Sequence, residues 1–418
     1  MNSKFYITAR KRYLDAINDN SVTVLFSGAI VQKTADQDYI FEVNKNFNYL
    51  TGIKQAEVIL ILVKNNEETR EMLFIEENDE VLVKWVGMKL TKEEAREISG
   101  INEVYYLEEF SSKLFSMLNP SRKSFYEIDS MYLDLERRDN KEYTNKGLKF
   151  SNEIKLTHPE VKIIDAYKLI VHLRMTKTSE EIDLIVESIN TTKNALENVM
   201  KNIKPDLYEY QIETFYDSAI KFDGNKDRAF DTICAAGKNA TILHYIKNNS
   251  RALDGDLILF DLGCRTDFYV SDISRTYPVN GKFTKRQAEI YQIVLDTNKL
   301  CIEFLKPGVT WKEYNNYANS LLANGLKRIG LIKDDSELVN YYWHSIGHSI
   351  GLDTHDPVLS KYPISEGMVL TVEPGLYLET EGIGIRIEDN VLITRNGAIN
   401  LSKDIIKEIK DIEEFMKK

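Results

Sequence analysis

The sequence predicts a two-domain α/β (α+β) protein, and three observations carry that expectation. The chain has 418 residues, enough for two separately buried cores. Its first part alternates short apolar runs with charged stretches of helical spacing, and its second part passes twice from helices to strands. The division implied is an N-terminal α/β domain over residues 1–170 and a second domain over residues 171–418.

Val22-Thr23-Val24-Leu25-Phe26 is a β-branched and aromatic run stopped by Ser27-Gly28, which reads as a strand. Val58 to Val63 is a continuous apolar strand, Glu71 to Glu76 another, and Lys92 to Ile98 has helical spacing. A linker is expected near Val171 to Thr178. After it, Ser179 with Glu180, Glu181 and Asp183 makes a helix start with acids in the first turn. Ile182, Ile185, Val186 and Ile189 give that helix an apolar stripe. The pattern stays helix-rich to about residue 222 and then turns strand-rich. Helices are expected again at Lys285 to Phe304 and Trp311 to Leu326, and strands from Tyr341 to Thr394. Ile405, Ile406, Ile409, Ile412 and Phe415 predict an amphipathic, packing-only helix in the tail.

Composition removes several classes of function. The net charge of −11 opposes a surface that tracks phosphates, so no nucleic-acid partner is expected. The longest apolar runs are about six residues, far short of a membrane span. Three scattered cysteines (Cys234, Cys264 and Cys301) include no C-x-x-C pair, which suits a reducing compartment and excludes a cysteine-rich zinc site. Met1-Asn2-Ser3-Lys4-Phe5 leads into charged and polar residues rather than a signal-peptide core, so a cytoplasmic location is expected.

The chemistry lies in carboxylates placed inside apolar runs. Asp261 interrupts Leu257-Ile258-Leu259-Phe260-Asp261-Leu262-Gly263. Asp272 follows eleven residues on, in Tyr269-Val270-Ser271-Asp272-Ile273, and a hairpin of that length can bring both to one face. Glu373 ends Val369-Leu370-Thr371-Val372, and Arg386 and Glu388 share one face of the alternating run Ile383 to Glu388. A lone acid in such a strand is most simply a hydrogen-bonded or lysine-paired core residue. Four of them outnumber the local cations, because Arg386 can serve only one or two. Four carboxylates carry −4, which two divalent cations cancel.

Three of the six histidines, His344, His348 and His355, fall within twelve residues spaced by Gly347 and Gly351. A single histidine would read as packing, whereas this density reads as a site. Ser345 stands where an H-E-x-x-H motif would need its glutamate. Four oxygen ligands and one imidazole, with no thiolate, lean towards Mn²⁺, with Co²⁺, Fe²⁺ or Zn²⁺ compatible.

Four stretches now carry a resemblance: Ser271-Asp272-Ile273-Ser274-Arg275-Thr276-Tyr277-Pro278-Val279, His344-Ser345-Ile346-Gly347-His348, Thr371-Val372-Glu373-Pro374-Gly375 and Arg386-Ile387-Glu388-Asp389. Together they resemble the pita-bread metallopeptidases, specifically aminopeptidase P (Xaa-Pro aminopeptidase) and its relative prolidase. The resemblance covers nearly the whole chain. Thr34-Ala35-Asp36-Gln37-Asp38-Tyr39 and Asn46-Phe47-Asn48-Tyr49-Leu50-Thr51-Gly52 look like the aminopeptidase P N-terminal domain.

The resemblance implies a C-terminal pita-bread domain that binds two divalent ions through Asp261, Asp272, His348, Glu373 and Glu388. Asp272 and Glu388 would bridge, Asp261 would hold one ion, and His348 with Glu373 the other. It implies substrate-handling roles for His244, His344 and His355, with Arg386 beside them, and a proton relay at Glu373. His244 belongs to Ile242-Leu243-His244-Tyr245, another stretch similar to the family. Ser345 replaces the usual glycine after His344 and Asn390 follows Asp389; both departures are minor and neither touches a ligand.

The expected reaction is release of the N-terminal residue from peptides with proline second, by a homodimer. The proline nitrogen has no N–H, so a peptidase that grips that N–H cannot serve. Prolidase, which accepts Xaa-Pro dipeptides, is the alternative within the family. A metal-free pita-bread binding module is the alternative outside it, and retention of all five ligands speaks against that.

Overall fold

The computed structural model describes residues 1–66, 68–119, 127–137, 145–224 and 227–417. The chain divides into two compact units, Met1–Arg174 and Met175–Lys418.

The first unit is built on a six-stranded sheet. In spatial order its strands are Glu103–Tyr106, Glu68–Ile75, Ile59–Asn65, Ser21–Phe26, Ser130–Leu133 and Lys162–Asp165. The three strands Ser21–Phe26, Ile59–Asn65 and Glu68–Ile75 pair antiparallel in turn, and the outer strands join in parallel. Val22 and Val24 meet Ile61, Val63, Met72 and Phe74 in one apolar cluster, which Leu114, Leu118 and Ile154 of two helices cover. Leu60 and Leu62 point to the opposite face and are buried too. A strand covered on both faces is apolar throughout, which is why Val58 to Val63 shows no alternation.

The second unit follows one plan twice. Helices Ser179–Asn202 and Glu209–Phe222 precede a three-stranded sheet whose middle strand, Leu257–Leu262, pairs with Ile233–Ala236 and Ile273–Pro278. Helices Lys285–Phe304 and Trp311–Arg328 precede a second sheet, in which Asp389–Thr394 lies between Val369–Val372 and Gly397–Asn400. A two-stranded ribbon, Gly375–Leu378 with Ile383–Arg386, adjoins it in sequence. Thr178, Thr284 and Thr310 each cap a helix reciprocally with Glu181, Gln287 and Glu313, so the polar residues before these helices supply their own start signals. Among the described residues no helix is long and apolar enough to cross a membrane.

Four local expectations need correction. The segment read as linker from Val171 is helical through Met175, because Val171 and Met175 are buried and keep the helix Tyr167–Met175 packed. From Tyr341 to Met368 the described backbone forms no strand beyond an isolated Ser349–Leu370 bridge. Pro357, Pro363 and close backbone approaches break that stretch; a Cβ on Gly347 would come within 2.1 Å of the Thr371 carbonyl oxygen. Asp272, Glu373 and Glu388 stand just beyond strand ends rather than inside strands. The tail helix covers only Ile409–Phe415, because the carbonyls of Ile405, Ile406 and Lys407 accept from Arg275 and Tyr291 instead of from a helical turn.

Candidate metal centre

Antiparallel pairing sets Asp261 opposite Ser274, and Asp272, two residues before Ser274, lies on the same side of that pair. Asn390 clamps the Asp272 backbone from the second sheet: its Oδ1 accepts from the Asp272 N–H (3.1 Å) and its Nδ2 donates to the Asp272 carbonyl (2.7 Å). The loop Ile346–His348 runs along Val369–Val372, with Thr371 N–H donating to His348 O and Glu373 N–H to Ile346 O. His348 is thereby brought beside the acids. Its Nε2 lies 3.4 Å from Asp272 Oδ2 and 3.7 Å from Glu373 Oε1.

His348 Nδ1 faces the Ser349 carbonyl at 3.0 Å. A carbonyl only accepts, so Nδ1 keeps a proton and Nε2 is the atom free to change state. Asp272, His348 and Glu388 each offer a ligand atom within 4.8 Å of the other two. Glu373 joins them through His348. Asp261 stands aside from this trio: its Oδ2 accepts from Arg386 Nη2 at 2.6 Å, while its Oδ1 is buried without a hydrogen-bond partner.

Burial first, and then mutual repulsion, raise the acids. Asp272 is lifted to about 6 and Glu373 to about 7, and Glu388 stands well above its ordinary value. Burial alone would lower His348, but its hydrogen bond to Asp272 and the charges of Asp272 and Glu373 lift it to about 9. An oxygen-rich donor set with one imidazole, raised pKa values and an orphaned carboxylate oxygen on Asp261 all fit divalent cations.

Arg386 braces this cluster. It donates from Nε to Ser274 Oγ (2.7 Å), from Nη1 to Tyr377 Oη (3.1 Å) and from Nη2 to Asp261, while Ser274 Oγ donates to Glu388 Oε2 (2.7 Å). The Tyr377 hydroxyl lies 2.9 Å from His344 Nε2, and His344 Nδ1 lies 2.8 Å from Ser345 O. The carbonyl fixes the proton on Nδ1, so Nε2 accepts from Tyr377. Burial, reinforced by Arg386, holds His344 down at about 4, which leaves it neutral at pH 7.

His355 is exposed and its ring lies against that of His348, tilted by 33° with centroids 3.9 Å apart. Desolvation of its inner face and the charge of His348 lower it to about 4. His244 is exposed on the loop after Ile233–Ala236.

Four side chains around the site are not evident from the sequence. Tyr377 and Ser274 look like ordinary strand residues. Lys177 and Asp356 form a buried ion pair (2.9 Å) across 179 positions, directly beside Ser349 and His355. The one signal that could have found the first two is a hydroxyl in each strand next to a candidate acid.

Comparison with known proteins agrees with this chemistry. Residues 183–395 match the model for metallopeptidase family M24, and residues 6–126 match the aminopeptidase P N-terminal domain. The Xaa-Pro aminopeptidase of Haemophilus influenzae is 33% identical over 97% of this chain and 96% of its own length. A Bacillus anthracis structure, inferred to be an aminopeptidase P, superposes with a TM-score of 0.97 at 45% identity, covering 100% of this chain and 98% of that one. Escherichia coli aminopeptidase P with the inhibitor Pro-Leu superposes with a TM-score of 0.89 at 30% identity and the same coverage. The chain belongs to metallopeptidase family M24.

Proposed function

We infer that this chain is a dinuclear metal-dependent Xaa-Pro aminopeptidase, releasing the first residue of peptides with proline second. The observation that carries the reading is the buried cluster of Asp272, His348, Glu373 and Glu388, whose acids are raised first by burial and then by one another's charge. Asp261, Asp272, His348, Glu373 and Glu388 would hold the two ions, and the donor set favours manganese. Bound there, the ions would lower the pKa of water towards neutrality and offset negative charge developing on the scissile carbonyl.

The side chains supply the rest. Glu373, beside His348 in the cluster, is suited to carry a proton from the attacking water to the departing proline nitrogen. His355, neutral at pH 7, can donate to the developing oxyanion. His344, held neutral by Tyr377 and Ser345, and the exposed His244 would line the proline side. Arg386, with three nitrogens engaged and 4% exposed, braces carboxylates rather than the peptide. A catalytic unit that follows an N-terminal unit free of candidate chemistry, a homodimer and a cytoplasmic location complete the proposal. The resemblance supports the dimer, and three free, buried cysteines fit a reducing compartment.

Product analysis by mass spectrometry under defined metal tests the reading. X-Pro-Z peptides should be cut at least as well as X-Pro dipeptides, and X-Ala-Z barely, because proline enters with φ already set and buries its ring at about 0.8 kcal/mol per CH₂. Cleavage of dipeptides alone would make the protein a prolidase. Equal rates on alanine and proline peptides would defeat proline selectivity.

A further inference from the structure

The connection from Ala236 to Leu257 carries His244, and its one regular element among the described residues is the short 3₁₀ turn Gly237–Thr241. Such a segment is costly to hold in one conformation. Two residues away on either side of His244 the chain gives little help, since Ile242 and Ile246 are 53% and 57% exposed. The anchor is a carboxylate from another element. Glu209, the first residue of the helix Glu209–Phe222, is fully buried and receives four hydrogen bonds. Oε1 accepts from the Ala236 N–H (2.8 Å) and Asn239 Nδ2 (2.9 Å). Oε2 accepts from the Tyr245 hydroxyl (2.7 Å) and the Ser250 N–H (2.8 Å).

All four partners donate, so this position calls for a group that only accepts, and the helix N-terminus favours its negative charge. The donors span the loop from its start to beyond His244, and one of them is the residue next to His244. On the other side the loop lies hard against the strand that carries Arg386: a Cβ on Gly384 would come within 2.1 Å of the Ala240 carbonyl oxygen. Tyr245 also packs in one apolar cluster with Tyr377, the partner of His344.

We propose that Glu209 is a positioning residue, which fixes the 236–250 loop so that His244 faces the peptide and acts on the reaction only through that histidine. The proposal rests on the reading of His244 as substrate-facing. Glu209→Gln keeps the shape but turns an amide NH₂ towards two donors, and Tyr245→Phe removes a single donor.

The experiment is a double-mutant cycle of each variant with His244→Ala. It reads kcat and KM on an X-Pro-Z peptide, together with bound manganese and the thermal midpoint. Glu209→Gln should lower kcat/KM roughly 10–100-fold with manganese retained. Tyr245→Phe should lower it less, and neither should lower it further once His244 is alanine. Losses that multiply in the double variants would make Glu209 a general stability residue and overturn the proposal, as would wild-type kcat/KM in both single variants. If Glu209→Gln does not fold, the Tyr245→Phe cycle decides the question in the same way. A neutral His244→Ala in an active enzyme defeats the positioning role while the peptidase reading stands. A wild-type chain that leaves X-Pro-Z intact removes both.

Discussion

Glu388 and Asp389 are consecutive and both buried, at 2% and 0% exposure, yet they sit in opposite electrical settings. Asp389 accepts from Arg275 (2.7 Å), Lys407 (2.5 Å) and Ser402 (2.9 Å). Although burial opposes it, the two cations hold its carboxyl far below the ordinary range. Glu388 accepts from the neutral Ser274, and burial first, then the charges of Asp272, Glu373 and Asp261, drive it up. One residue's step along the chain thus separates an acid whose charge the chain balances from one whose charge it does not. Burial alone marks neither as functional. What distinguishes them is whether the compensating cation belongs to the protein.

Asp272→Asn should give the largest effect, because a neutral amide removes charge from the open cluster. Turnover should vanish and bound metal should fall in elemental analysis. Two ions per chain with near-normal turnover would break the comparison on this side. On the closed side, Asp389→Asn leaves Arg275 and Lys407 without their common counter-charge. It should cost about 3–5 kcal/mol in urea unfolding, while the molecules that stay folded keep their metal. Metal loss with unchanged stability would mean that the two clusters are one.

The open cluster is visible in the sequence through incongruity: acids at the ends of apolar runs and three histidines in twelve residues have no ordinary packing reason. The elements that support them show no such contrast. Tyr377 lies in Gly375–Leu378, where a tyrosine reads as core, and its role depends on Arg386 and His344 reaching it through space. Glu209 reads as a solvated acid at a helix start until the loop that buries it is in place. Tyr341 to Met368 imitates strands because Ile346, Ile350 and Leu352 are buried, and burial in an irregular loop leaves the same apolar trace as burial in a sheet. Chain-local signals reach the candidate ligands; pairings between distant residues are legible only in three dimensions.

His355→Ala sharpens the boundary of the open cluster. His355 packs its ring against His348 and adds no negative charge, so its loss should leave metal content unchanged. It should lower kcat by roughly 10²–10³, the effect of one lost oxyanion donor. A raised KM with unchanged kcat would make it a binding residue.

The smallest effect is a pH dependence that distinguishes the metal-free from the metal-loaded protein. Without metal, folded His348 keeps its proton to about 9 against an ordinary 6.5, and Glu373 to about 7 against 4.5. Between pH 6.5 and 9 the folded chain therefore holds protons that the unfolded chain has released. Stability that His348 contributes fully below 6.5 is lost as pH rises through 9. The fall is at most about 1.4 kcal/mol per pH unit for each retained proton. Below 6.5 the sign is mixed, because His344 and His355, both lowered to about 4, hold fewer protons folded than unfolded. Metal takes the deprotonated forms, so saturating manganese should remove the decline above 6.5 or reverse it. Urea unfolding of chelator-treated and manganese-loaded protein at pH 6.5 to 9 measures the difference. Asp389→Asn should shift both curves down, since it removes the counter-charge of the buried Lys407 and Arg275 whether or not metal is bound. A metal-free curve flat across that window would show that the open cluster is balanced by the chain after all.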